Sequence, residues 1–233
     1  MYKYKNVSKE IIKKLEKEQL ELSKKLSLID KKNINEIKYI AGIDTTFTDI
    51  WSDKTTAISA ITVLEYPSLE EIETVFAVKE IDFPYIPTFL AYRELPVILE
   101  AYKKLNTKPD VFFIDGMGIL HPRKMGIASH FGVITGEVSI GIGKSKLVGD
   151  FKEPENKPSS YNPIYVDGEL RGYILRSRKN SNPIFISPGN NISVNSALKL
   201  TINTLKRYKL PEPTRLAHNK LQIYRKNYLG GKH

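Results

Sequence analysis

Residues 109–132 read PDVFFIDGMGILHPRKMGIASHFG, and this stretch decides both the fold and the position of a site. Its apolar beginning, rich in Phe, Val and Ile, is typical of a buried strand that ends at Asp115-Gly116. An ionised carboxylate at the end of a buried strand is unfavourable without a partner, so we expect a cation beside Asp115. Two structural explanations compete with a functional one: Asp115 pairs with Arg123, or it caps the following helix.

The composition restricts the chemistry that the chain can perform. Lys and Arg number 36 against 26 Asp and Glu, which gives a formal charge of +10 and favours an anionic partner, with nucleic acid as the first candidate. A lysine-rich surface that only maintains solubility is the alternative. Cysteine is absent, so any metal ion must be bound by oxygen or imidazole ligands.

The length and the apolar patterning indicate the class of protein. With 233 residues and 41% hydrophobic content, the chain suits one α/β domain over residues 1–233. No apolar run approaches the ~18 residues of a membrane span, which predicts a soluble, cytoplasmic protein. A monomer is expected, because no long apolar stripe calls for a partner.

The first half of the chain predicts a helix followed by an antiparallel sheet. Apolar residues recur at helical spacing over 8–26, with Ser8 as the N-cap. Three β-prone runs with short links, at about 39–48, 55–65 and 72–79, predict a three-strand meander. A helix then begins near Thr88 and carries Glu94 on its inward face, and Pro96 is expected to kink or split it.

The second half predicts further strands and helices around a long loop. We expect helices at 127–135, at 193–208 and from about 214 to 228, and strands at 137–142 and 184–187. Residues 150–163, rich in Pro, Asn and Lys, are expected to form a surface loop. Asp167-Gly168 predicts the turn of a hairpin that continues over 170–177.

A stiff loop precedes the long helix. Pro84-Tyr85-Ile86-Pro87 excludes helix and central strand, because its two prolines fix φ and remove two backbone donors. The loop is expected to expose Tyr85 and Ile86, which suits insertion between stacked bases. A rigid connection without contact to a ligand is the alternative.

Three carboxylates are expected to meet at one edge of the sheet. Asp44 ends the first strand, Asp115 ends the fourth, and the two side chains converge with Glu94 if these strands are neighbours. Three close carboxylates require a counter-charge, and a divalent cation with oxygen ligands, Mg²⁺ or alternatively Mn²⁺, supplies it. His218 on the last helix is expected to act as a weak ligand or as a general base toward water. Such a centre on a basic protein is typical of a nuclease.

The chain resembles the endonuclease V family within the ribonuclease H-like fold. The similarity extends from about residue 40 to about residue 218, and the joint order and spacing of the motifs make it specific. The segments that carry it are Gly42-Ile-Asp44-Thr, Pro84-Tyr-Ile-Pro87 with Phe89-Leu90 and Arg93-Glu94, Asp115-Gly-Met-Gly118 with His121-Pro-Arg123, Gly126-Ile-Ala-Ser-His130-Phe-Gly132, Gly143-Lys144-Ser145, and Pro211-Glu-Pro-Thr-Arg-Leu-Ala-His218.

The resemblance implies a fold and an activity. The expected fold is a mixed sheet with an antiparallel three-strand meander and helices on both faces. The expected activity is that of a Mg²⁺-dependent DNA repair endonuclease, a hydrolase for which Mn²⁺ can substitute. It recognises deoxyinosine, formed by deamination of adenine, and hydrolyses the second phosphodiester bond on its 3′ side. The products carry 3′-hydroxyl and 5′-phosphate ends.

The resemblance also implies roles for individual residues. Asp44, Glu94 and Asp115 bind the metal ion and catalyse, and His218 assists them. Pro84, Tyr85, Ile86 and Pro87 form the wedge that replaces the displaced base. The lesion pocket is walled by Leu90, Gly116, Gly126 and Ile127, and His121 and Lys144 contact the strand near the scissile phosphate.

Two alternatives and two departures accompany the resemblance. An endoribonuclease acting mainly on inosine-containing RNA is the alternative activity, and a non-catalytic nucleic-acid-binding module is the alternative class. The presence of all three acidic residues argues against the binding module. Gly189-Asn190-Asn191 stand where the family often has a histidine shortly after the glycine, and the first motif reads Asp44-Thr-Thr-Phe where many members have a Ser-Tyr or Ser-Phe pair.

Overall fold

The computed structural model describes residues 7–231, and the predicted domain, 1–233, extends beyond them at both ends. In this range the chain forms one mixed eight-stranded sheet in the order β3-β2-β1-β4-β5-β8-β7-β6. The strands are β1 (Tyr39–Phe47), β2 (Lys54–Glu65), β3 (Glu71–Asp82), β4 (Val111–Asp115), β5 (Ser139–Gly143), β6 (Ser160–Val166), β7 (Glu169–Arg176) and β8 (Ile184–Asn190). The helices are α1 (Lys9–Ser23), α2 (Leu90–Tyr102), α3 (Ile127–Thr135), α4 (Val194–Asn203) and α5 (Glu212–Gly230), with a single 3₁₀ turn at Ile34–Glu36.

Strands β1, β4 and β5 form the parallel centre of the sheet. The first and fourth strands are neighbours, which meets the condition for the carboxylates to converge, with Ile43 opposite Ile114. Strand β4 pairs in turn with β5, in parallel, with Asp115 opposite Ile142. Because parallel strands end at the same edge of a sheet, Asp44, Asp115 and the residue after β5, Lys144, come to one edge.

The predicted meander and the helices on both faces are confirmed. Strands β1, β2 and β3 pair antiparallel in sequence. Alternate residues of β1 face opposite sides: Ala41 and Ile43 belong to a core with α2 and α3, whereas Ile40 belongs to a core with α4. This alternation is the period of two expected of a sheet covered on both faces. The fold is the α/β, ribonuclease H-like class expected from the sequence.

Helix α2 is not split at Pro96, which was one of the two predicted outcomes. The helix runs without interruption from Leu90 to Tyr102, although Pro96 has no N–H to donate to the carbonyl oxygen of Tyr92. Val97 and Ile98, which follow Pro96, are fully buried against the sheet. Burial of this apolar face compensates for the missing hydrogen bond, so the expected split does not occur.

Three other boundaries were also predicted incorrectly. The expected loop at 150–163 ends early, because β6 begins at Ser160; its Pro163 is tolerated on an edge strand of the sheet. Strand β8 continues through Pro188 to Asn190, beyond its pairing with β7. Helix α4 ends at Asn203 rather than at residue 208. After it, the backbone N–H and the hydroxyl of Thr204 both donate hydrogen bonds to the carbonyl oxygen of Thr201.

The predicted β6–β7 hairpin is confirmed. Asp167 and Gly168 both have positive φ, 53° and 79°, as a type I′ turn requires. None of the helices within residues 7–231 has the length and hydropathy of a membrane span.

The position of helix α5 depends on a glycine in β1. A Cβ atom at Gly42 would lie 1.9 Å from the carbonyl oxygen of Pro213, in the first turn of α5. Only glycine permits this approach, and the approach places His218, further along α5, beside Asp44. A backbone contact in the core of the fold thus fixes the geometry of the site.

We predict that Gly42→Ala destabilises the fold strongly. The added methyl group must push α5 away from β1, and overpacking of this kind costs about 2–4 kcal/mol of unfolding free energy. Urea denaturation measures the loss. Gly230→Ala is the control, because no atom lies within 4 Å of the added Cβ. Equal stability of the two variants would contradict the close approach of α5.

Candidate active site at the sheet edge

Asp44 lies at the centre of the site and binds the last helix. Its side chain is 6% exposed, and Oδ1 accepts a hydrogen bond from the backbone N–H of Thr45 at 3.0 Å. The other oxygen, Oδ2, lies 2.7 Å from Nδ1 of His218. This contact raises the pKa of His218 above its ordinary value, because the carboxylate stabilises the imidazolium. The strand pairing explains the position: β1 leaves β4 after Ile43.

Asp115 has a cationic partner, but the partner is Lys144. The ammonium group of Lys144 donates a hydrogen bond to Oδ2 of Asp115. Burial and the neighbouring Asp44 nevertheless raise the pKa of Asp115 to about 6. Burial lowers the pKa of Lys144, but the attraction of Asp115 outweighs that effect, and the net pKa is raised. The attraction between the ammonium and the neighbouring, partly desolvated carboxylates therefore stabilises this ion pair.

Glu94 completes the group of three carboxylates from the inward face of α2. Burial raises its pKa well above the ordinary value, and the charges of Asp115 and Asp44 raise it further. Arg93 and Lys144 act in the opposite direction. The three acidic residues predicted to converge thus interact electrostatically, and Lys144 provides positive charge toward all three.

The donor set suits a hard divalent cation. Three carboxylates on β1, β4 and α2 repel each other, and a cation at their centre would lower each raised pKa and favour the ionised form. In the described range no three acidic or histidine side chains already surround a point with ligand geometry. The ammonium of Lys144 supplies positive charge toward the same three carboxylates. A metal ion bound at Oδ2 of Asp115 would take the place of this ammonium.

Arg123 is not the partner of Asp115, and that structural explanation is wrong. Its guanidinium binds α1 and the start of α2 instead: Nε donates to Oε1 of Gln19 at 2.6 Å, and Nη2 donates to Oγ1 of Thr88 at 2.7 Å. Asp115 is also not a helix cap, since α3 begins at Ile127 with Gly126 as its N-cap.

A pocket lies beside the carboxylates, at the ends of β4 and β5. The cavity has a volume of about 200 Å³. Its wall contains most of the residues predicted to bind substrate, together with Thr88, Met117 and Met125, which the sequence did not indicate. The predicted residues that it brings together are Tyr85, Pro87, Leu90, Gly116, His121, Gly126, Ile127 and Lys144.

The stiff loop presents one aromatic side chain rather than two side chains. Tyr85 is 46% exposed at the mouth of the pocket. Ile86 is only 2% exposed, so the prediction that it is presented to solvent is wrong. Pro84 flanks Tyr85 without lining the pocket. The apolar Ile86 anchors the loop in the core, and this burial holds Tyr85 in place.

His121 is part of the pocket wall and is bound within the protein. Its Nε2 lies 2.9 Å from the carbonyl oxygen of Thr88, and Nδ1 accepts hydrogen bonds from the backbone N–H groups of Arg123 and Met125. Burial lowers its pKa to about 4, so the ring is neutral at pH 7. A direct contact with a nucleic acid strand, which remains a prediction, would require one of these bonds to break.

The base of the stiff loop is fixed by residues that the sequence analysis did not select. Gln19, on α1, is fully buried and donates through Nε2 to the carbonyl oxygen of Thr88 at 3.0 Å. Thr88 itself has a φ of 70°, which is unusual for a β-branched residue. A polar residue on the apolar face of α1 was the available signal, because Gln19 follows Leu15 and precedes Leu22 at helical spacing.

Comparison with known proteins identifies the family. A model of the endonuclease V family matches residues 20–219, most of the chain. The chain belongs to the endonuclease V family. Among curated members, the endonuclease V of Dictyoglomus turgidum is 45% identical over 200 residues, which are 86% of this chain and 85% of that protein. The family consists of nucleases, so the site at the sheet edge belongs to a hydrolase that acts on nucleic acids.

Solved structures of endonuclease V agree with the fold. The Bacillus subtilis protein is 35% identical and superposes with a TM-score of 0.89, covering 97% of this chain and 96% of its own. The Ciona intestinalis protein is 25% identical, with a TM-score of 0.80 and coverage of 94% and 99%. That structure is a complex with a 24mer DNA containing an inosine followed by a ribo-adenosine.

Asn190, the departure from the family's histidine, has a structural role here. Its Oδ1 accepts the backbone N–H of Ser27 at 3.0 Å, and its Nδ2 donates to the carbonyl oxygen of Gly132 at 2.9 Å. The side chain therefore connects the segment after α1 to α3 at the end of β8. Neither of these hydrogen bonds of Asn190 involves a carboxylate of the site.

We predict that His218 titrates above pH 6.5 in metal-free buffer and that Asp44→Asn lowers its pKa. The carboxylate stabilises the imidazolium, and the neutral amide cannot. Because the folded-state pKa is raised, this stabilisation is complete below the unfolded-state pKa and is lost as pH rises through the folded-state value. NMR titration of the imidazole signals measures the shift.

Asp167→Asn is the control for this titration. It removes the same charge at the β6–β7 turn, far along the sheet from the site, and Asn tolerates positive φ. An unchanged pKa of His218 in Asp44→Asn would contradict the contact between the two side chains.

Proposed function

We propose that this chain is a Mg²⁺-dependent DNA repair endonuclease that recognises deoxyinosine and hydrolyses the second phosphodiester bond on its 3′ side. One observation carries the proposal: the carboxylates of Asp44, Glu94 and Asp115, the last two with raised pKa values, lie beside a pocket whose mouth holds Tyr85. The complex of the Ciona relative with inosine-containing DNA supports the choice of substrate.

Asp44, Asp115 and Glu94 would hold the Mg²⁺ ion, for which Mn²⁺ can substitute. When bound, such an ion lowers the pKa of a coordinated water and neutralises charge that develops on the phosphate. The raised pKa values of Asp115 and Glu94 support this assignment, because ionising both carboxylates at neutral pH needs additional positive charge.

Lys144 and His218 act from opposite sides of the carboxylates. The ammonium of Lys144 pairs with Asp115, and with a metal ion at the carboxylates it would be available to contact a phosphate oxygen of the strand. His218 uses Nδ1 toward Asp44, so Nε2 is the atom that exchanges a proton with water or with the leaving oxygen. Asp44 orients the ring and stabilises its protonated form.

The pocket accepts the displaced base. A deaminated base leaves the duplex at lower cost than a paired one, and a rigid side chain must fill the gap that it leaves. Tyr85, held by the buried Ile86, provides this wedge, and Leu90 and Ile127 provide apolar walls for the base. Gly116 and Gly126 let backbone groups reach the edge of the base.

An endoribonuclease that acts mainly on inosine-containing RNA is the second candidate. The ribo-adenosine after the inosine in the Ciona complex is the observation that favours testing it. Substrates that differ only in a ribonucleotide at the inosine or at its 3′ neighbour separate the two activities. A rate that is unchanged or higher with the ribonucleotide favours RNA, and a lower rate favours DNA.

We predict that Asp44→Asn and Asp115→Asn each reduce cleavage of a deoxyinosine duplex by roughly 10²- to 10³-fold or more, with binding largely retained. Each variant removes a charge needed at the metal ion without changing the shape of the side chain. An end-labelled duplex incubated with Mg²⁺ or with EDTA gives the rate and maps the product to the nucleotide.

Asp167→Asn again serves as the control, and it is expected to cut at the wild-type rate. Products that depend on Mg²⁺ and end one nucleotide beyond the lesion on its 3′ side agree with the proposal. Wild-type cleavage by both active-site variants would refute the assignment of these carboxylates.

We predict that Tyr85→Ala weakens binding to a deoxyinosine duplex by about tenfold and weakens binding to an undamaged duplex much less. The ring is needed only where a base has been displaced. Fluorescence anisotropy measures both affinities. Tyr161→Ala is a matched control, because Tyr161 is 47% exposed on the distant edge strand β6. Equal losses on both duplexes would remove the wedge role.

A further inference from the structure

A second cavity lies on the other side of the carboxylates from the pocket for the base. Its volume is about 430 Å³, and it is lined by residues 45–50 together with Glu94 and Arg225. The residues at 45–50 follow Asp44 along the chain and lead from the end of β1 into the β1–β2 loop. The cavity is therefore bordered by one proposed metal ligand, Glu94, and its lining begins at the residue after another, Asp44.

The strand order places the two cavities on opposite sides of the reacting centre. Along the sheet the order is β2, β1, β4, β5. The pocket for the base is built at the ends of β4 and β5, from Gly116 and residues 143–147. The second cavity is built at the end of β1, toward β2. A nucleic acid strand that passes along this edge from the first pocket crosses Asp115 and Asp44 and then reaches the second cavity.

Trp51 stands at the tip of the β1–β2 loop beside this cavity and is 83% exposed. It is the only tryptophan in the chain. Its neighbour Ile50, which lines the cavity, is 48% exposed. Exposing an indole and an isoleucine together is unfavourable in free energy, because apolar surface stays in water. An aromatic face beside the path of a nucleic acid strand provides a surface on which a base can stack.

Hydrogen bonds fix the backbone of the loop that carries Trp51. The backbone N–H of Asp49 donates to Oγ1 of Thr55 at 3.2 Å, and Oδ1 of Asp49 accepts a hydrogen bond from the backbone N–H of Trp51 at 2.9 Å. The buried Arg93 donates to the carbonyl oxygen of Ser52 at 2.9 Å and so fixes the loop to α2, next to Glu94. Such order lowers the entropic cost of binding.

One arginine lines the cavity together with the carboxylates of Asp49 and Glu94, and it is the lining group that can contact a phosphate. Arg225, on α5, lines the cavity and donates through Nε to the carbonyl oxygen of Phe47 at 3.1 Å and through Nη2 to that of Thr48 at 3.3 Å. These bonds hold the guanidinium at the end of β1. A fixed positive charge beside an exposed aromatic ring is the combination found in sites for single-stranded nucleic acid.

We propose that Trp51 stacks on a base of the cleaved strand on the 3′ side of the scissile bond, and that Arg225 contacts a phosphate of the same segment. This inference rests on the proposed function, because the direction of the strand is set by a lesion in the first pocket and a cut on its 3′ side. The occupant is the downstream part of the substrate strand, which must unstack locally to meet the indole.

The fluorescence of Trp51 tests the proposal directly, since no other tryptophan contributes. The probes are 5′-labelled single-stranded deoxyoligonucleotides with one deoxyinosine, the same 5′ arm, and 3′ arms of about three or about twelve nucleotides, below and above the size of a typical single-strand site. In EDTA, anisotropy of the label reports binding, and indole emission reports stacking. We expect the long 3′ arm to quench the emission and the short one to leave it unchanged. Emission that stays constant when the long oligonucleotide binds would overturn the proposal.

Variants give a second, independent readout. Trp51→Ala is expected to fold normally and to raise KM roughly tenfold for the substrate with the long 3′ arm, with no change for the short one. Trp51→Phe is expected to restore part of the loss, because a smaller ring still stacks. Ile29→Ala, at a 79% exposed apolar residue outside the site, is the control and should behave as wild type. Equal effects of Trp51→Ala on both arms would also contradict the proposal.

The same samples distinguish this inference from the proposed function. If the wild-type protein with Mg²⁺ cuts the deoxyinosine strand and Trp51 does not respond to the 3′ arm, only the stacking site is wrong. If the wild-type protein neither binds nor cuts the deoxyinosine strand in preference to an undamaged one, both proposals are wrong.

Discussion

Repulsion between carboxylates where the parallel strands β1 and β4 separate is the constraint on which the site depends. The register of β1 and β4 brings Asp44 and Asp115 to one edge, where burial removes the water that would screen them. The structure reduces the repulsion in three ways: Lys144 pairs with Asp115, His218 binds Asp44, and Glu94 has a strongly raised pKa. Each of these groups is one that the proposed nuclease chemistry needs.

The groups that balance this charge come from separate parts of the chain, so the site forms only when the whole sheet is assembled. Lys144 follows β5, and His218 is brought by α5, whose approach to β1 requires Gly42. The base pocket depends on a third contact, because Gln19 and Arg123 join α1 to Thr88 at the base of the Tyr85 loop. Fold stability and site geometry are therefore coupled.

The structural features that were predicted most reliably from the sequence are those that depend on a local residue pattern. The strand that ends in Asp115, the meander and the Asp167-Gly168 turn are local features, and the structure confirms them. The prediction that Asp44 ends the first strand is wrong, because β1 continues to Phe47 through its pairing with β2. Contacts between distant segments could not be derived in this way. The partner of Asp115 is Lys144 rather than Arg123 because strand order decides which cation is near, and β6 and the end of β8 form because neighbouring strands provide partners. Likewise, Ile86 is buried by tertiary packing that a Pro-flanked sequence does not indicate.

The most direct test of the account is the position of a metal ion. Crystals of the protein soaked in Mn²⁺, measured with anomalous diffraction, locate the ion without reference to activity. The account predicts one strong peak bounded by the carboxylates of Asp44, Asp115 and Glu94, with Nζ of Lys144 moved away from Asp115. The absence of such a peak in fully soaked crystals, or a peak only at carboxylates elsewhere on the surface, would contradict it.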